Sequence, residues 1–143
     1  MNPFQLSFVE RLREWNDLRA SLKNQNLEQC CVAVDRWWQR APLVNHHLHT
    51  HDTENWPDPW ALLSENEYCQ VARGAGILYT MYLLGFNECR LCEVTDEYGD
   101  EYIIVVCDRY IMNWHPNTTL CNKISDFNIK RDINISSLLL RIK

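Results

Sequence analysis

Three groups of side chains have the composition of a chemical site. The first is Cys69. It follows Ser64 by five positions, and Ser64-Glu65-Asn66-Glu67 has the form of a capping box. There the Ser side chain accepts a backbone N–H and the Glu reaches back. The spacing predicts Cys69 in the first turn of a long helix over 65–84, where unpaired N–H groups and the helix dipole stabilise a thiolate. That is the setting of a nucleophile. The plainer alternative is a core thiol, because free cysteine is among the most buried residue types. The second group is the run His46, His47, His49, His51 and Asp52, which holds four of the five histidines of the chain. His46, His49 and His51 can supply nitrogen to zinc, with Asp52 or a cysteine as the fourth ligand. The alternatives are a solvated loop whose rings pack on nearby Trp, and a contact that responds to pH near about 6. The third group is Cys89-Arg90-Leu91-Cys92. It enters a predicted strand, which places its two thiols on opposite faces. With no second pair of this spacing it reads as structural.

These groups must be positioned by helices first and strands afterwards. Phe4, Phe8, Leu12, Trp15, Leu18 and Leu22 follow helical steps, and polar Lys23 to Asn26 breaks them. A second helix carries Leu27, Cys30, Cys31, Val34, Trp37, Trp38 and Ala41 and ends at Pro42. Residues 42–60 read as irregular chain, and Asp58-Pro59 suits a short helix over 59–63. The long helix that follows presents Cys69, Ala72, Ala75 or Gly76, Tyr79, Tyr82 and Leu83, and Gly85 is its stop. Arg73 to Gly76 is no phosphate loop, since it falls inside that helix and lacks Gly-Lys-Ser/Thr; its small residues permit close approach of a neighbouring element.

Beyond Gly85 the pattern becomes alternating. Strands are expected at 90–95, 102–107 and 110–114, with turns at 96–100 and 108–109. Residues 115–128 read as loop, and 136–142 as a short closing helix or strand. The order gives an α+β class, N-terminal helices packed on a small antiparallel sheet, in a single domain over 1–143. Its helical part is 1–85, its β-meander 86–128 and its closing segment 129–143.

Bulk composition excludes several classes. The chain has 143 residues, is 46% apolar and carries only four glycines and five prolines, which excludes wholesale disorder. Its net charge of −5 argues against a surface built for nucleic-acid backbone or anionic lipid. No apolar run approaches the length of a membrane span. Met1-Asn-Pro-Phe4 lacks the basic and apolar regions of a secretory signal, so seven cysteines, an odd number, are expected to be reduced thiols of a protein made in cytoplasm. Trp37, Trp38, Trp56, Trp60 and Trp114 exceed what one core of this size hides easily, and Trp anchors interfaces. They are therefore candidate contact residues, or a roof over the Cys69 cleft.

Helix-initiating Cys69, the three strands after it and the turn Trp56-Pro-Asp-Pro-Trp60 resemble the transglutaminase-like, papain-like cysteine peptidase superfamily over residues 56–114. The resemblance implies a Cys opening the core helix, a His beginning a following strand and an Asp on the next. Cys69 matches the nucleophile. Glu101 or Tyr102 stands where the His is expected, and Asn113 where the Asp is. Thiol chemistry needs a base within hydrogen-bond reach. A glutamate there raises a thiol pKa instead of supplying that shuttle. The resemblance thus implies a degenerate site that needs no cofactor. An active thiol hydrolase or amidase would have to borrow His115 or one of His46 to His51. The paired Trp37-Trp38, the 56–60 turn, Tyr68-Cys-x-x-Ala-Arg73 and Asn113-Trp114 are similar to small proteins of contractile-tailed bacteriophages, including those of cyanobacteria. That similarity implies a virion component with other virion proteins as partners, without direct nucleic-acid or membrane contact, in an oligomer within a symmetric assembly.

Overall fold

The structure is a computed structural model that describes residues 2–44, 48–114 and 119–138. Helix α1 (Phe8–Leu22) is capped by Ser7, whose side chain accepts from the Glu10 N–H, and it buries Arg11, Trp15 and Leu22. Phe4 sits apart from it in a short 3-10 turn, Pro3–Gln5. Helix α2 (Leu27–Trp38) opens with a reciprocal cap between Asn26 and Gln29 and buries Cys30, Cys31, Val34, Trp37 and Trp38.

Helix α3 (Pro59–Glu65) starts at Asp58, whose carboxylate accepts from the Ala61 N–H. It ends at Asn66 in the left-handed conformation, φ 55°. This corrects the expected capping box at Ser64–Glu67: Ser64 lies inside α3, and the left-handed Asn66 turns the chain before the next helix starts. Helix α4 (Gln70–Leu83) begins at Cys69 itself. It stops with paired bonds, Gly85 N–H to Tyr82 O at 2.9 Å and Phe86 N–H to Met81 O at 3.0 Å, with Gly85 at φ 100°.

Five antiparallel strands form one sheet in the order β4-β3-β2-β1-β5. They are β1 (Arg90–Thr95), β2 (Glu101–Cys107), β3 (Tyr110–Met112), β4 (Leu120–Cys121) and β5 (Asn128–Asn134). The last extends the sheet beyond the expected meander at 86–128 and pairs with β1. A 3-10 turn follows at Ile135–Leu138. The remainder of the closing segment lies outside the described residues.

Alternation along the strands divides the apolar residues between two layers. Leu91, Val105, Cys107, Met112 and Ile133 face the helices in the main core. Cys92, Val94, Ile104, Val106 and Ile111 face the other side, under Tyr102, Trp114, Leu120, Ile124 and Phe127. Helix α4 lies close against its neighbours because it is small there. A Cβ on Gly74 would come within 2.9 Å of Leu91 and one on Gly76 within 2.5 Å of the Trp38 ring. A disulfide joins Cys89 and Cys107, with Cα atoms 4.3 Å apart. The expectation that every thiol is reduced is thereby corrected. These cysteines flank the Arg90–Val106 pair across β1 and β2, so the ladder itself brings them together. No helix among the described residues is long and apolar enough to cross a membrane.

Candidate functional site

The N-terminus of α4 meets β2 and β3 at Cys69. Its sulfur accepts the Ala72 N–H at 3.4 Å, so the thiol caps the helix in person, and the residue is 4% exposed. A small cavity of about 200 Å³ opens beside it, lined by Leu43, Val44, Cys69, Gln70 and Ile103. The Val44 N–H donates to Tyr68 O at 2.8 Å, which fixes the 43–44 segment alongside the residue before the cysteine.

The strand residue of this cavity is Ile103. Glu101 is exposed at the strand end and its carboxylate accepts from Lys130 at 2.7 Å. Tyr102 points to the opposite face, where its hydroxyl donates to Asp96 at 3.0 Å and its ring packs on Trp114. The register of side chains decides this. Residues 103, 105 and 107 face the helices, so the first of them to reach α4 is the isoleucine. A hydrocarbon thus stands where sequence reading placed an acid or a phenol.

Asn113 is buried, with φ 66°, a conformation Asn tolerates better than most residues. Both hydrogens and the oxygen of its amide have partners. The NH2 donates to Ile103 O at 2.9 Å and Gln70 O at 3.1 Å, and Oδ1 accepts from Arg73 Nε at 2.7 Å. Its backbone N–H donates to Asp35 at 2.9 Å. Asp35 also accepts from Gln39 at 3.1 Å and from the Thr119 hydroxyl at 2.7 Å. Burial pulls the Arg73 guanidinium below its ordinary pKa, and the Asp35 carboxylate opposes that shift. The bonds of Asp35 and Arg73 to Asn113 escaped the sequence reading. Those residues lie 78 and 40 positions from Asn113, and no local pattern marks such a bond.

The aromatic candidates separate. Trp37, Trp38 and Trp56 are 5%, 0% and 3% exposed, so their assignment to an interface is corrected. They have polar or aromatic partners inside: the Trp38 indole donates to Thr80 at 3.0 Å and the Trp56 indole to His49 O at 2.9 Å. Trp60 remains 37% exposed with its ring edge-on to Trp15, and Trp114 is half-buried on the outer face of the sheet. His49 and His51 stack at 5.3 Å between ring centroids. His46, His47 and His115 lie outside the described residues, and among the described residues no three metal-ligating side chains converge.

No protein-family model matches the chain, and comparison with curated proteins finds no match. Solved structures do match it. The calcium-bound form of Legionella pneumophila LapG superposes with a TM-score of 0.72 at 12% identity, over 91% of this chain and 77% of that one. A second LapG structure gives 0.68 at 12% identity, over 91% and 83%. LapG has a transglutaminase-like fold. The fold of this chain is transglutaminase-like. Within that fold Cys69 and Ile103 line one cavity, and Asn113 bonds to Gln70 and Ile103 beside it.

Proposed function

We propose that this chain is a catalytically silent transglutaminase-like domain that works through protein–protein contacts, as a structural or assembly part of a tailed bacteriophage particle. The observation that carries the silent reading is Ile103. It lines the cavity beside Cys69 where a proton acceptor is needed, and an isoleucine takes no proton. The amide of Asn113 spends both of its hydrogens on Gln70 O and Ile103 O and accepts from Arg73, bonds that tie it into the fold. The particle assignment is supported by the motif similarity alone.

A thiol hydrolase using Cys69 is the competing reading, favoured by the helix-cap position of the sulfur. Iodoacetamide labelling at pH 6–7, resolved by peptide mapping, separates the two. Cys69 in the native chain should react no faster than in the same chain unfolded in urea. Faster native labelling would establish an activated thiol and end the silent reading. The particle assignment has its own test, which is whether the polypeptide co-purifies with intact phage particles.

A further inference from the structure

The outer face of the sheet carries a second cavity, remote from Cys69 and made of different chemistry. It encloses about 440 Å³ between the β1–β2 turn and the chain after β4. Its apolar wall is Trp114, Leu120 and Phe127. The Trp114 ring is held at 4.6 Å from Tyr102 and 5.3 Å from Phe127, so it is braced rather than free to turn. Around this wall stand the carboxylates of Asp96, Glu97 and Asp126, against the single ammonium of Lys123.

Asp96 is fixed in place. It accepts the Tyr98 and Asp100 N–H groups at 2.9 and 3.0 Å and the Tyr102 hydroxyl at 3.0 Å. Desolvation works to raise its carboxyl, but the backbone and phenol donors together outweigh it and hold the group below the ordinary range. Glu97 and Asp126 make no ion pair among the described residues. The cavity therefore offers an aromatic face bordered by anions with unspent capacity.

We propose that this face receives an arginine side chain from a partner protein. A guanidinium is planar and weakly hydrated, stacks on an indole and can fork onto a carboxylate, which matches both parts of the lining. An anion meets three carboxylates here. A neutral apolar side chain would leave Glu97 and Asp126 without an ion-pair partner. The proposal names the partner class for the contact-making role given above. It does not depend on whether Cys69 is inert.

The test follows the Trp114 indole signal by NMR, assigned with Trp114→Phe, during titration with a capped pentapeptide bearing a central arginine between alanines and leucines. The signal should shift, and replacing that arginine by citrulline, its neutral isostere, should abolish the shift. The double variant Glu97→Gln, Asp126→Asn, at two exposed positions, should weaken binding about tenfold, a size expected of two surface charge pairs. An unmoved indole, equal binding of the citrulline peptide or an unaffected double variant would overturn the proposal. Free arginine binding as well as the peptide would also overturn it, by identifying a small-molecule guanidinium site. Peptide binding by a chain that fails to co-purify with particles would keep this surface and discard the virion assignment.

Discussion

At the scale of single residues the interior is organised by a few polar side chains that serve several partners each. Thr80 accepts the indole N–H groups of both Trp15 and Trp38 at 3.0 Å and donates its own hydrogen to Gly76 O at 2.7 Å. Thr80→Val keeps the shape and leaves two buried indole donors without an acceptor. It should lower stability by about 2–4 kcal/mol in urea unfolding. Asn113 has a comparable position. Asn113→Ala removes the oxygen that Arg73 Nε reaches, leaving that end of a buried guanidinium without its acceptor, and should cost about 3 kcal/mol by the same measurement. A loss below about 1 kcal/mol in either variant would mean that the partner groups find water or relax, at odds with their burial.

At the scale of elements, α4 is the component that decides the site, and its glycines decide how close it lies. Gly76→Ala would raise helix propensity by about 1 kcal/mol. The added Cβ would stand 2.5 Å from a Trp38 ring that is fully buried and tethered to Thr80. The clash should win and lower the melting temperature, an overpacking cost of about 1–3 kcal/mol or more. A variant that melts higher would show that the ring can move. The same elements show what the chain discloses before it folds. Helices α1 and α2, the turn after β1 and the stop at Gly85 were legible because periodicity and turn residues are local. Cys69 was legible as a helix opener, although its cap is its own sulfur and not Ser64, since nothing in the sequence marks Asn66 as left-handed. Ile103 was displaced by one or two positions, because a strand of nearly continuous apolar residues hides its own facing. Strand β5 was invisible. Its residues Asn128, Lys130, Arg131, Asp132 and Asn134 are polar and exposed, and it is recruited by pairing with β1, with only Ile133 buried.

At the scale of the whole molecule two buried thiols and one disulfide govern the response to solution conditions. Burial, helped by Cys30, Asp35 and Asp108, pushes the Cys31 thiol from 9.0 up to about 12; burial pushes Cys92 to about 11. The folded values lie above the unfolded one. Their contribution is therefore complete below about pH 9 and is lost as pH rises from there through the folded values. Urea midpoints should hold below pH 9 and fall progressively between pH 9 and 12. A flat profile would contradict the neutral burial of these groups. Reducing the bond between Cys89 and Cys107, which are 18 positions apart in the chain, should cost about 3 kcal/mol in the presence of excess dithiol. Strand β5 has a different consequence. It pairs with β1 alone, its ladder is broken by an irregularity opposite Glu93 and Val94, and it carries Lys130, Arg131 and Asp132 in succession. Such a margin is a poor template for another strand. Copies brought together at this margin would not run on into one shared sheet.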